Sequence, residues 1–315
     1  VITVRLATLE DTTAITNVHK SHQMEWKRFD VAGQPVAALY EEMTLHERWQ
    51  QAGPWVSVET CAVHLNRLLG GSGFPLVAEI DGEVLATAEV YEGFEPPPFG
   101  HHLNLAVLIA HADHLRQGLG TALVNYIAEM ARLMKCERVT LSQPENHAFC
   151  ARLGFRHTRS GSRVRLPTQA GRVFYQATNL TDHDPEQVKG WYMPLGRYQS
   201  ARQEWEKLFP QSWAAGIPEM LNAVTAHLKL SVTGQNAILF LRETDQPGSQ
   251  PGEVDMACWS ARPLSNPLLT AIRDRAHRDG YHTIITYVMD AEVPLLGSDA
   301  QPTGYTQDLY ELTLV

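Results

Sequence analysis

The sequence predicts an α/β protein organised in two units, residues 1–165 and 166–315, each a mixed, mostly antiparallel, twisted sheet flanked by helices. Three observations predict it. Stretches with strand alternation and stretches with helical spacing follow one another along the chain instead of segregating. Two apolar, β-branched runs in "FPLVAEIDGEVLATAEVYEG" flank Asp81-Gly82, the strongest short-range hairpin signal. Finally, "ALVNYIAEMARLMKCERVTL" (122–141) lies without gaps on "PLLTAIRDRAHRDGYHTIIT" (267–286). That overlay matches Leu123 with Leu268, Ile127 with Ile272, Ala131 with Ala276 and Val139 with Ile284, the mark of a repeated unit. "GFRHTRSGSRVRL" and "GYTQDLYELTL" extend the likeness.

The opening "ITVRLATLEDTTAITNVHKSH" reads as a strand and then a helix, with Thr8 or Asp11 as N-cap. Helical zones follow in "VAALYEEMTLHERWQQ" and in "TCAVHLNRLLGG", the second stopping at Gly70-Gly71. After the hairpin, the three prolines of "EPPPFG" make a rigid loop, and "HLNLAVLIA" is a further strand. From Gly120 onward Ala122, Leu123, Ile127, Met130, Ala131 and Met134 recur at helical spacing. "RVTLS" is a strand, and "PENHAFCARLGF" a helix closing on Gly154. Through "GFRHTRSGSRVRLPTQAG" the chain turns polar and loop-like, which puts the boundary between units near 160–172. Beyond it, "DPEQVKGWYMPLGRYQSARQEWEKLF" reads as helix-rich, and "HLKLSV", "NAILFLRE" and "EVDMACWSA" as strands.

A hydrophobic fraction of 44% with 19% charged residues describes a globular protein with material for two cores. The net charge of −9 argues against general nucleic-acid binding, which needs clustered Lys and Arg, and is compatible with an amine acceptor. Cys61, Cys136, Cys150 and Cys258 form no C-x-x-C pair, so neither a metal site nor a disulfide framework is expected. No apolar run reaches membrane-span length and no signal-peptide pattern opens the chain; a cytoplasmic protein without a membrane partner, monomer or homodimer, is expected.

The stretch "HADHLRQGLGTAL" carries the chemistry. A glycine pair between strand and helix is often only a tight connection. Here a buried strand enters and a long helix leaves, so the first helical turn offers unpaired N–H groups and the positive end of a dipole. Gly118 and Gly120 let an anion approach the backbone, Arg116 adds charge and Thr121 a hydroxyl, enough for one pyrophosphate. No third glycine makes it a dinucleotide fingerprint, and no Lys-Ser or Lys-Thr makes it a nucleoside-triphosphate loop.

Strand, helix, D-G hairpin, strand, "HADHLRQGLGTAL", helix, strand and "AFCARLGF", in that order, resemble the GNAT N-acetyltransferase superfamily, closely over residues 3–160 and only in architecture beyond. The resemblance implies two GNAT-like acyltransferase domains, with acetyl-CoA as co-substrate and direct transfer of acetyl to a primary amine on a small molecule or peptide. It implies that Leu115, Arg116, Gln117, Gly118, Leu119, Gly120 and Thr121 hold the pyrophosphate, and that Leu108, Ile109 and Ala110 polarise the thioester carbonyl. Asn146 and Phe149 would join the cofactor site. Cys150 stands where the family often carries the Tyr that protonates the departing thiolate. Asn104 stands at or near the place of a Glu base, which leaves His102, Glu89 and Glu92 as alternatives. The overlay sets Pro263-Leu264-Ser265 against Gly118-Leu119-Gly120, so the second unit, degenerate in this loop, is expected to bind no acetyl-CoA. The tandem layout resembles mycothiol synthase-type enzymes. Trp26, Phe29 and Tyr40 read as core, although this region shapes the acceptor site in the family, where Glu25, Asp30, Glu41 and Glu42 would favour a cationic amine. The missing Tyr and Glu leave a non-catalytic acyl-CoA-binding or sensing protein as the alternative.

Overall fold

The computed structural model describes residues 1–30, 33–208, 217, 225–243 and 250–314. Asp81 (φ 53°) and Gly82 (φ 84°) take the left-handed conformations that a two-residue hairpin turn demands, and join β4 (Phe74–Ile80) to β5 (Glu83–Phe94). Ahead of them lie β1 (Ile2–Leu6), α1 (Thr12–Lys20), a separate ribbon of β2 (Trp26–Phe29) and β3 (Pro35–Ala38), α2 (Leu45–Ala52) and α3 (Val58–Arg67). After them come β6 (His101–Ala110), α4 (Leu119–Leu133), β7 (Arg138–Ser142), α5 (His147–Arg152) and β8 (Arg156–Pro167). The remainder comprises β9 (Tyr175–Asn179), β10 (Tyr192–Leu195), α6 (Ala201–Leu208), β11 (Thr225–Val232), β12 (Gln235–Glu243), β13 (Glu253–Ser260), α7 (Asn266–Arg278), β14 (Thr283–Met289) and β15 (Gln301–Thr313). No described helix is long and apolar enough to cross a membrane.

One continuous sheet runs β1-β4-β5-β6-β7-β15-β8-β14-β13-β12-β11-β9, with β10 attached to β13. From β1 inward, pairing is antiparallel until the parallel pair β6/β7. From β9 inward it is antiparallel until the parallel pair β13/β14. In the middle the strands interleave: the last strand, β15, lies between β7 and β8, and β8 pairs antiparallel with β14 on its other side. The boundary expected at 165/166 thus falls within β8.

Strand alternation sends Leu76 and Ala78 to a core under α4, and Val77 to a second core under α1 and α3 on the opposite face. In the other half α7 covers one face and α6, with Trp205 against Trp259 and Phe240, the other. All eight residues of the overlay, from Leu123 and Leu268 to Val139 and Ile284, are fully buried at 0% exposure, so the matched periodicity reports packing in both halves.

Three local expectations need correction. Residues 156–167 are an interior strand, because their polar side chains meet acids on neighbouring strands: Arg159 pairs with Glu311, Arg165 with Glu253 at 3.0 Å, and Ser160 donates to Asp308 at 2.7 Å. Tyr192–Leu195, expected within a helix-rich stretch, is a strand held by β13. Phe209, the last residue of that stretch read as helix-rich, lies outside the described residues. In the zone read as helical from Val36, Pro35–Ala38 pairs with Trp26–Phe29, and α2 starts only at Leu45, where Thr44 and Glu47 form a capping box.

Candidate active site

The site begins where β6 and β7 part. Their parallel register holds for His102↔Arg138, Leu103↔Val139 and Asn104↔Thr140, and then ends, while β6 runs on to Ala110 paired with β5. The cause lies on β6: Glu89 faces Val107 but Val90 faces Leu105, so Ala106 is an extra residue that bends the strand away. Burial changes at the same place. Residues 102–105 are buried, whereas 106–110 are half-buried. Leu108, Ile109 and Ala110 therefore form one wall of a V-shaped opening at the carboxyl ends of two parallel strands. One of its carbonyls, that of Ala110, is contacted by His22 Nε2 at 2.7 Å.

The glycine loop stands at the end of this opening. Gly118 is the N-cap of α4 with φ 91°, and Arg116 also has positive φ, 63°. No side chain caps the helix, and Gly118 offers its carbonyl to Ala122 N at 2.9 Å. The first-turn amides of Leu119, Gly120 and Thr121 are thus directed outward with the helix dipole. Leu115, Arg116 and Gln117 are exposed beside them. Gly120 serves a different purpose from Gly118: a Cβ there would come within 3.2 Å of the Phe149 ring. Phe149 is thereby brought against the loop, while Asn146 caps α5 by accepting from Phe149 N at 2.9 Å. Cys150 is buried in the core beneath α4, and burial pushes its thiol up.

On the opposite face, Glu89 lies buried with one carboxylate oxygen 3.0 Å from His64 Nε2 and the other accepting from the Tyr91 hydroxyl. Burial alone would raise the Glu89 carboxyl. The charge and hydrogen bond of His64, joined by Tyr91, outweigh burial and hold it below the usual carboxylate range. Tyr91 is pushed well above its ordinary value by burial and by Glu89. His64 meets Trp55 edge-on at 4.5 Å, and Trp55 stacks on His19 at 5.4 Å. Burial lowers His19 to about 3, which keeps it neutral. Neither His64 nor Tyr91 stands out in the sequence; only the period-two spacing of Glu89 and Tyr91 on one strand hints that they share a face.

The other expected residues lie elsewhere. His102 is fully buried, with Nδ1 3.0 Å from Gly100 O and Nε2 3.6 Å from Glu95, which in turn pairs with the buried Arg197. It precedes the point where the strands part, and burial lowers its pKa. Asn104 is engaged on every side: its amide donates to Gln199 and Gln203 at 3.1 and 3.2 Å, and its oxygen accepts from Thr140 at 3.1 Å. Glu92 binds His101 at the far end of β6. Glu25, Asp30, Glu41 and Glu42 are exposed. Trp26 and Tyr40 are in ring contact at 5.0 Å, and Tyr40 carries Lys20 and Arg48 at 3.7 and 3.9 Å from its centroid.

The second half repeats the parting of strands and fills it. β13 and β14 pair at Glu253↔Thr283 through Asp255↔Ile285, and beyond that point Leu195 and Tyr192 of β10 pair with Cys258 and Ser260. Gly196 N donates to Tyr287 O at 2.8 Å, so the segment bridges both diverging strands. It fits only as glycine, since a Cβ at Gly196 would fall 2.6 Å from Ala257 Cα. At the start of α7, Ser265 Oγ accepts from Leu268 N at 3.3 Å and Pro267 occupies the first turn.

Residues 35–155 match the family model described as "Acetyltransferase (GNAT) family". No curated protein matches the chain. Among solved structures, a GCN5-related N-acetyltransferase from Anabaena variabilis is similar over 100% of this chain and 73% of its own, at 9% identity and a TM-score of 0.63. A GCN5-related N-acetyltransferase from Kribbella flavida is similar over 100% and 72%, at 12% identity and a TM-score of 0.60. Eis1 from Mycobacterium abscessus is similar over 100% and 74%, at 14% identity and a TM-score of 0.55. At such identities the likeness is one of fold. Residues 35–155 thus resemble the GNAT acetyltransferase family model, within a fold that the chain shares over its length with these solved proteins.

Proposed function

We propose that the protein is an acetyl-CoA-dependent N-acetyltransferase with one active site, in the opening between β6 and β7. The observation that carries this is the coincidence of a half-buried strand edge, residues 106–110, with an uncapped helix start at Gly118. The amides of Leu119, Gly120 and Thr121, together with Arg116, receive the pyrophosphate. Leu108, Ile109 and Ala110 present backbone groups to the pantetheine arm and polarise the thioester carbonyl, and Phe149 and Asn146 close the side.

Acetyl-CoA supplies an activated acyl group. The acceptor is a primary amine on a small molecule or peptide, and Glu89, held ionised by His64 and Tyr91, takes its ammonium proton through water. The amine nitrogen bonds to the carbonyl carbon, the carbon–sulfur bond breaks, and the sulfur leaves with the electron pair. Cys150, whose buried thiol keeps its proton, gives it to that thiolate and takes the second N–H proton from the newly acylated nitrogen, so the cysteine is regenerated and the step balances. His102 is left out of this scheme because its ring is enclosed with Glu95 and Arg197.

The overlay at an offset of 145 residues, whose four matched apolar pairs are buried in both halves, supports two related units of which only the first binds the cofactor. The four free, buried cysteines support a cytoplasmic setting. The engaged Asn104 favours one second reading, an acyl-CoA-binding sensor without turnover. Calorimetric titration with acetyl-CoA followed by thiol-release assays over an amine panel separates them. Binding with turnover supports the enzyme, binding without turnover supports the sensor, and no binding removes both.

A further inference from the structure

We propose that Glu92, His101 and Cys136 bind a divalent transition-metal ion of the zinc type, at the end of β6 opposite the acyl-CoA opening. One carboxylate oxygen, one imidazole nitrogen and one sulfur lie within 4.8 Å of one another. These are the donor types that zinc takes. His101 Nε2 is 3.4 Å from Cys136 Sγ and 2.7 Å from Glu92 Oε1. Bond lengths of about 2.0–2.3 Å give tetrahedral edges of roughly 3.5 Å for nitrogen to sulfur and roughly 3.3 Å for nitrogen to oxygen. The first edge is already in place. The second needs the Glu92 carboxylate to swing outward by roughly half an ångström, and that side chain is 30% exposed.

The backbone presents the three donors together. Phe94 pairs with His101 and Glu92 with Leu103, which sets Glu92 and His101 on one face of the β5–β6 hairpin. Phe94 stacks on the His101 ring at 4.1 Å and fixes its plane. Cys136 N donates to Ala131 O at the end of α4, and Glu137 N donates to His101 O at 2.8 Å, which pins the turn carrying the thiol against β6. Charge also balances, since a thiolate and a carboxylate neutralise a divalent cation while His101 binds as neutral imidazole. Coordination releases the Cys136 proton to solvent. Among neighbours, Glu137 adds negative charge although Arg138 engages it at 2.7 Å, and Lys189 is an opposing charge 4.2 Å from the Phe94 ring. The His101 side chain is 21% exposed, which leaves a fourth position for water. The bound ion would clip the hairpin to the α4–β7 turn. The ligands are 9 and 35 residues apart in sequence, in no metal-binding spacing, so only the fold unites them.

The test is a Co²⁺ titration of the reduced full-length chain. The proposal expects a thiolate-to-cobalt charge-transfer band that saturates at one equivalent and is displaced by Zn²⁺. Cys136→Ser should abolish the band and Cys61→Ser should leave it. His101→Gln should weaken binding by at least about tenfold, the loss that even an outer-shell change produces. Absence of the band at about a hundredfold excess of cobalt, or its survival in Cys136→Ser, overturns the proposal. X-ray absorption at the zinc edge needs no variant: one sulfur beside nitrogen and oxygen supports the site, and nitrogen and oxygen alone refute it.

Discussion

Two places in this sheet part a parallel pair of strands, and they end differently. Between β6 and β7 the bend at Ala106 leaves a strand edge half-buried, and α4 starts at a left-handed glycine with no cap. Between β13 and β14 the chain inserts its own β10 and Gly196, and α7 starts with Ser265 capping and Pro267 removing an amide. The topology is shared, and the free hydrogen-bonding groups are not. A parting of strands becomes a candidate site only where backbone donors and acceptors are left for a ligand; where the chain satisfies them itself, the same geometry is interior structure.

The largest effect expected from breaking this contrast is at Gly118. Gly118→Val forces a β-branched residue to φ 91° at the helix start. Acetyl-CoA affinity should fall by about 100-fold or more, read by calorimetry, and the far-UV spectrum should be retained. Ser265→Ala in the filled half should leave that affinity unchanged and lower stability by about 1 kcal/mol, measured by urea unfolding.

In turnover, as opposed to binding, the largest effect is expected from Glu89→Gln. If the buried pair with His64 supplies the base, turnover should fall by about 10²–10⁴-fold with acetyl-CoA affinity unchanged. Equal loss of both would make Glu89 part of the cofactor site instead.

A smaller effect concerns acid stability. His19 is held neutral, lowered by burial to about 3, whereas an unfolded histidine titrates near 6.5. Between those values the unfolded chain binds more protons, so stability should rise with pH and decline steadily as pH falls below about 6.5. Glu89 has the opposite chemistry and the same sign: its lowered pKa contributes stability above the ordinary carboxylate value, which is lost on further acidification. His19→Phe, keeping a ring against Trp55, should flatten the upper part of this decline in urea midpoints measured from pH 7 to pH 4.

The smallest is Gly120→Ala. The added methyl meets Phe149 Cζ at 3.2 Å, so the ring must give by a few tenths of an ångström. A few-fold loss of acetyl-CoA affinity is expected, far less than at Gly118.

The sequence carried the parts of this contrast that are local. Asp81-Gly82 marks its turn through backbone conformations few other residues accept, and Gly118 marks the start of α4 for the same reason. The overlay of 122–141 on 267–286 reports buried faces correctly because periodicity records which side of an element meets the core. Neighbours in a sheet leave no such trace. Nothing near 301–313 signals that β15 lies between β7 and β8, a placement supported by distant pairs such as Arg159 with Glu311 and Arg138 with Glu311. The polarity of β8 hides an interior strand for the same reason, since its partners are supplied by other strands. Glu89 was legible as a candidate, but His64, 25 residues earlier on α3, is joined to it only by the packing of α3 on the sheet.

The central claim is one cofactor site in two similar halves, and the stoichiometry of acetyl-CoA binding tests it most directly. Calorimetric titration of the full chain should give one site, lost in Gly118→Val and kept in Ser265→Ala. Two sites per chain, or a single site that survives Gly118→Val and disappears with Ser265→Ala, would contradict it.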